Sequence, residues 1–238
     1  MNKIPGTIFK TFEYICNKNP AASFLISPSR GANDLKEISY KDTLEKANRI
    51  ANIFLDKQYA SNIRVATLLG STPEHYILKL ALNKIGISVV PINPDYLPDE
   101  TSYLLEDSRA TVAICSELFL SQLETAVNLK GISVPIVTYE EIDSLPRSQT
   151  VSRGVRIEGS TEASLLYTSG TTGRPKGCIL SHKYELMCGD VYANIGTPIG
   201  LSFGQDKILN PLPSYHINAG IVTFFAAMLT GNSLIQPE

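Results

Sequence analysis

Eleven consecutive residues, Tyr167-Thr168-Ser169-Gly170-Thr171-Thr172-Gly173-Arg174-Pro175-Lys176-Gly177, gather three glycines, four Ser/Thr hydroxyls and a lysine directly behind an apolar run. Glycines let a backbone turn sharply and aim successive N–H groups at an anion. Hydroxyls add donors whose direction adjusts to the ligand, and Lys176 supplies the compensating charge. This is the chemistry that a polyphosphate asks of a protein. The string is not a Walker A loop, because five residues after Gly170 stands Pro175 where that motif needs glycine. No G-x-G-x-x-G fingerprint occurs either. Composition alone leaves a plain Ser/Thr/Gly surface loop open as the alternative.

Other chemistry-bearing side chains are dispersed. His216 follows Leu212-Pro213 and by itself reads as a half-buried histidine bonded to backbone, as do His75 and His182. The four cysteines, Cys16, Cys115, Cys178 and Cys188, form no C-x-x-C pair. Neither a zinc cluster nor a disulfide framework follows from such spacing, so buried or partly buried free thiols in a reducing compartment are expected.

The elements that must position these groups follow from apolar periodicity. Ile8, Phe9, Phe12 and Ile15 predict an amphipathic opening helix, and Ala22 to Ile26 a short strand. Lys41 to Lys57 then predicts a surface helix, Ile63 to Leu69 a buried strand, and Pro73 to about Ile85 a helix buried on more than one face. The alternation continues with strands at Ile87–Ile92, Thr111–Cys115 and Val134–Tyr139 and helices near Asp99–Asp107 and Leu118–Leu129. Beyond a Ser/Thr/Arg-rich stretch at 143–161, strands are expected at Ala163–Tyr167, Lys207–Leu212 and Ser233–Ile235, and helices at His182–Asn194 and Ile217–Leu229. Short apolar runs alternating with amphipathic helices predict an α/β fold with helix-covered, largely parallel sheets. We divide it into a first α/β subdomain (1–142), a connection (143–161) and a phosphate-loop segment that starts a second subdomain (162–238).

With 238 residues, of which 43% are hydrophobic and 18% charged, the chain can bury a substantial core. Lys+Arg 21 against Asp+Glu 23 offers no cationic excess, so nucleic-acid binding is disfavoured as the main task. The longest apolar run, Ile221 to Leu229, is far shorter than the ~18 residues that a membrane span needs. The residues after Met1 lack an apolar signal segment, and a cytoplasmic location is expected. Ile221, Val222, Phe224, Phe225, Met228 and Leu229 give the last helix more apolar surface than a terminal helix can leave in water, so self-association through it is expected.

Position for position, the eleven-residue string resembles the phosphate-binding signature of the AMP-forming adenylating enzymes. That superfamily holds acyl-CoA synthetases, peptide-synthetase adenylation domains and luciferases. The likeness extends to Lys84–Pro94, similar to the family's KxGAVxVPINP segment, to Tyr103–Ser108, to Ser71–Glu74, and to Leu212–Gly220. The last of these is similar to the PxxH acyl-pocket motif of crotonobetaine/carnitine- and medium-chain acyl-CoA ligases. The resemblance implies the fold of the N-terminal large domain of such enzymes. It implies that Thr168, Ser169, Gly170, Thr171, Thr172 and Gly173 wrap the phosphates of ATP and that Lys176 neutralises departing pyrophosphate. His216 would stand between the phosphate side and the acyl pocket, with Ile217, Asn218, Ala219 and Gly220 shaping that pocket. ATP, Mg²⁺, coenzyme A and a small-molecule carboxylic acid are the implied cofactors and partners. The YGxTE motif, the ribose-binding Asp, the hinge and the C-terminal closing domain would all fall beyond Glu238. The chain is therefore expected to be an N-terminal part, inactive alone. A peptide-synthetase adenylation domain and a non-catalytic remnant with weak nucleotide binding stay open as alternatives.

Overall fold

The computed structural model describes residues 6–28, 34–146, 156–168, 174–196 and 200–237. The chain opens with α1 (Ile8–Cys16), then an antiparallel pair, β1 (Ser23–Pro28) and β2 (Leu35–Ser39). Ser39 caps α2 (Tyr40–Asp56) by accepting from the Asp42 N–H at 3.0 Å. A regular alternation follows: β3 (Arg64–Leu68), α3 (Pro73–Lys84), β4 (Ser88–Pro91), α4 (Pro98–Ser108), β5 (Val112–Cys115), α5 (Leu120–Lys130) and β6 (Ile136–Thr138). Then come the short α6 (Tyr139–Ser144), β7 (Glu162–Thr168), β8 (Lys176–Ser181), α7 (His182–Ala193), β9 (Lys207–Leu209), α8 (Phe224–Leu229) and β10 (Ser233–Ile235).

Two sheets result. The larger has the order β6-β5-β3-β4-β7-β8 and is parallel except for β8, which runs antiparallel to β7. The smaller has the order β2-β1-β10-β9, with β1, β10 and β9 parallel. The expected covered, largely parallel architecture is what the chain forms. β7 and β8, placed with a second subdomain, extend the first sheet, while β9 and β10 return to pair beside β1. Both sheets also share one core, in which Val65, Val89 and Ile114 of the larger meet Phe24, Leu25 and Leu234 of the smaller across α1, α3 and α8.

The last predicted helix is corrected twice. Asn218–Thr223 is π-helical, and α-helix begins only at Phe224. Its apolar side chains are not left in water: Phe224, Phe225 and Met228 are fully buried. Phe224 stacks on Tyr76 with ring centroids 4.5 Å apart and meets Phe24 at 5.7 Å. The patch expected to drive self-association is thus the seam between the two sheets. Among the thiols, Cys16 and Cys115 are buried and Cys188 is partly so, but Cys178 is exposed on edge strand β8; all four are free.

Candidate functional site

β7 and β8 form a hairpin whose mouth carries the phosphate-loop string. In the ladder Thr168 lies opposite Lys176, and Tyr167 opposite Gly177. The loop therefore leaves and re-enters the sheet at one point, with an exposed hydroxyl on one side and an exposed ammonium on the other. Ser169, Gly170, Thr171, Thr172 and Gly173 lie outside the described residues. Room beside Gly177 is tight: a Cβ there would sit 3.0 Å from Leu165 Cδ1 and 3.2 Å from Tyr167 Cζ, so those side chains would have to give by a few tenths of an ångström.

Helix α4 braces both arms of this hairpin. The Tyr167 hydroxyl donates to the Asp107 carboxylate at 2.6 Å. Burial and the Asp107 carboxylate together raise the pKa of that phenol, so it stays a donor. One turn earlier, the Tyr103 hydroxyl donates to the Pro175 carbonyl at 3.2 Å, and the Arg174 guanidinium lies 5.0 Å over the Tyr103 ring. Through this contact Arg174 packs the loop's end against α4. The Tyr103–Ser108 segment thus brackets the two ends of the β7–β8 loop. Tyr103 and Asp107 stand four residues apart on one face of a helix, but nothing in that spacing says which strand they meet.

At its far end β7 is tied down by charge. Arg64 on β3 grips the Glu162 carboxylate with two guanidinium nitrogens at 2.7 and 3.0 Å and also donates to the Ser108 carbonyl at 3.1 Å. Burial would raise the Glu162 pKa, but hydrogen bonds from Arg64 and Ser88 overcome it and hold the carboxyl below its ordinary value.

The second candidate cluster follows β9. His216 is exposed in a tight turn whose backbone closes twice: the His216 N–H donates to the Pro213 carbonyl at 3.0 Å, and the Gly220 N–H to the His216 carbonyl at 2.8 Å. Ser214 fastens the turn to the loop after β3. Its hydroxyl donates to the Gly70 carbonyl at 2.8 Å and its N–H to the Ser71 hydroxyl at 3.1 Å. Beneath the turn lies a buried polar knot. Tyr76 donates to Gln236 Oε1 at 2.8 Å, Asn210 donates to the same oxygen at 3.0 Å, and Gln236 Nε2 donates to the Asn210 carbonyl at 3.0 Å.

The five pocket candidates do not share one environment. His216, Ile217 and Asn218 are exposed, whereas Ala219 and Gly220 are buried. A Cβ on Gly220 would stand 2.0 Å from the Ser214 carbonyl oxygen, so this glycine is there to let two backbone segments touch. The other histidines keep structural roles. His75 and His182 are buried, and His182 Nδ1 accepts from the Ile8 N–H at 3.2 Å.

Because β7 runs parallel to β4, Thr168 and Lys176 lie at the same sheet edge as the loop after β3 that holds Ser214. Both candidate clusters therefore border the carboxyl ends of parallel strands, where open α/β sheets bind ligands. The sequence profile of the AMP-binding enzyme family matches residues 12–238.

The chain belongs to the AMP-binding enzyme family. Tyrocidine synthase 2 of Brevibacillus parabrevis is 28% identical over 228 residues, covering 96% of this chain and 6% of its own length. Crotonobetaine/carnitine–CoA ligase of Citrobacter koseri is 29% identical over 217 residues, covering 86% of this chain and 41% of its own. Among solved structures, the Mycobacterium tuberculosis fatty acyl CoA synthetase superposes with a TM-score of 0.81 at 22% identity, over 98% of this chain and 45% of that one. The AMP-bound O-succinylbenzoate coenzyme A synthetase of Bacillus subtilis also has a TM-score of 0.81, at 20% identity, over 96% of this chain and 55% of its own. These likenesses show the adenylating-enzyme fold. The chain spans less than half the length of the two sequence relatives. No helix among the described residues is long and apolar enough to cross a membrane.

Proposed function

We propose that this chain is the phosphate-loop-bearing part of an AMP-forming acid–thiol ligase. Such an enzyme activates a small-molecule carboxylic acid with ATP as an acyl-adenylate and passes the acyl group to coenzyme A. The observation that carries the reading is Thr168 facing Lys176 across the mouth of β7–β8, with the family's Ser169–Gly173 string between them. A loop so held offers hydroxyl and N–H donors with one ammonium to a polyphosphate, and no nucleophile. That suits a reaction in which the protein positions reactants and stabilises charge on the leaving group. Of the five pocket candidates His216 to Gly220, His216, Ile217 and Asn218 reach the surface, and they serve as the wall that meets the acid. Among the described residues no group of three or more His, Cys, Asp or Glu could hold a metal ion.

A second reading, a peptide-synthetase adenylation domain, is favoured by the 96% coverage of this chain in the match to tyrocidine synthase 2. One experiment separates them. A panel of fatty, aromatic and amino acids is offered with ATP to the longest protein containing this chain, with coenzyme A present or absent. Coenzyme A-dependent turnover of a non-amino acid supports the ligase. Amino-acid adenylation indifferent to coenzyme A supports the synthetase, and no acid-dependent pyrophosphate release contradicts both.

A further inference from the structure

Helix α7 carries apolar side chains on both of its faces. Its inner face holds the buried His182, Glu185, Leu186, Gly189 and Ala193. That face lies against α8 so closely that a Cβ on Gly189 would stand 2.4 Å from Phe225 Cβ, and the one inner carboxylate, Glu185, is paired with Lys79 at 2.9 Å. A surface helix covered on one side is expected to be polar on the other. The outer face of α7 is not. Tyr184, Met187 and Val191 are 40%, 52% and 63% exposed, and Ile195, just past the helix end, is exposed as well. Among the described residues no other helix exposes more than one large apolar side chain.

Residues three and four apart share a helix face, so Tyr184, Met187 and Val191 make one stripe, about 10 Å long at ~1.5 Å per residue. Single exposed apolar residues need no explanation, whereas a contiguous row of them marks an interaction surface. Lys183 and Asp190 border the stripe, two turns apart and therefore on the same side of it. Lys183 is exposed and Asp190 half-buried, and neither is ion-paired among the described residues.

This stripe carries its own complement. When a second α7 is laid on it end for end, about a two-fold axis through Met187, each Met187 meets its counterpart and Tyr184 falls beside the partner's Val191. On the rim, Lys183 falls beside the partner's Asp190, and the symmetry makes that pairing twice. A parallel arrangement would instead set Lys183 against Lys183 and Asp190 against Asp190. Rim charges fix register and partner choice, and here they select the antiparallel pair.

We propose that the outer face of α7 is a self-association surface on which a second copy of this chain docks its own α7, antiparallel and centred on Met187. It is independent of the ligase reading. Sedimentation velocity on the 238-residue protein, and on the longest protein containing it, tests this. A seam two turns long is small beside the ~1,200–2,000 Å² of stable interfaces, so the expected result in both is a reversible dimer that forms at about 10–100 µM. Lys183→Glu creates two like-charge contacts per dimer and should raise the dissociation constant roughly tenfold or more, as should Asp190→Lys. Combining the two substitutions restores opposite charges across the axis and should return the constant to within about threefold of wild type. Urea midpoints close to wild type in all three variants would show that the change lies in association and not in folding. A protein still monomeric at ~500 µM, species larger than a dimer, single variants that dimerise like wild type, or a double variant no better than the singles would overturn the proposal. So would a dimer of the 238-residue protein alone, because the rest of the longer protein would then be what covers α7.

Discussion

Gly220→Ala is the substitution whose outcome the geometry constrains most. The sequence places Gly220 in the wall of an acyl pocket, where added bulk would change which acids fit. In the structure its missing side chain points at the Ser214 backbone instead. A Cβ at that position would lie 2.0 Å from the Ser214 oxygen and 3.1 Å from its carbonyl carbon, and backbone atoms cannot swing aside as a side chain would. The turn must open by more than an ångström. Overpacking of this kind costs about 1–3 kcal/mol, occasionally more. Opening also strains the bonds from Ser214 to Gly70 and Ser71, each contributing about 0.5–1.5 kcal/mol. The expected destabilisation is about 3–5 kcal/mol, a large share of the ~5–15 kcal/mol that holds a typical domain. Urea unfolding should show a lowered midpoint at an unchanged slope. Gly6→Ala, where nothing lies within 4 Å of the added methyl, is the control and should shift little. A Gly220→Ala protein within ~0.5 kcal/mol of wild type would refute the claim that Ser214 and Gly220 are locked in contact.

Acid should unfold the protein from near pH 6.5 downward. Burial first, and the Lys79 ammonium second, lower the pKa of His75 to about 3 and of His182 to about 4. The unfolded chain takes up both protons below about 6.5 while the fold refuses them, so stability is full above that pH and falls by about 2–3 kcal/mol per unit between pH 6 and 5. Urea midpoints that stay level from pH 7 to 5 would contradict this. Tyr167→Phe removes the donor to Asp107, and proteolysis within residues 168–176 should quicken while the melting temperature falls only slightly. Unchanged cleavage would mean that α4 does not brace the loop. Phe224→Ala, at the aromatic seam of both sheets, should cost about 3–5 kcal/mol by calorimetry; a cost under 1 kcal/mol would show that the seam is not a shared core.

Which parts of this structure were legible beforehand depends on where each segment's apolar surface goes. α3 was readable because nearly every face of it is buried, and β3, β4 and β5 because parallel strands covered on both faces give short, mostly apolar runs. β2 and β8 were not, since Lys36, Glu37, Lys176, Cys178 and Ile179 are exposed on sheet edges and show neither alternation nor an apolar run. α6 carried a signal that went unread. Thr138 and Glu141 form a reciprocal capping box, Thr-x-x-Glu, with bonds of 3.1 and 2.8 Å. The return of β7 to the first sheet has no local mark, because strand order is decided by packing between distant segments. At the site, the string 167–177 stood out from residue order alone. The bracket from Tyr103, Asp107 and Arg174, and the seat of the His216 turn on Ser71, required the fold.

The central claim is that the loop between Thr168 and Lys176 stabilises charge on departing pyrophosphate. Acid-dependent exchange of labelled pyrophosphate into ATP measures this step before any thiol acts. It should be run on the longest protein containing this chain, wild type and Lys176→Ala, with the acid that gives the highest rate. Removing one well-placed stabilising group should slow exchange by roughly 10²–10³-fold, or about 2.7–4 kcal/mol, while acid affinity changes little. Exchange at the wild-type rate in Lys176→Ala would contradict the account.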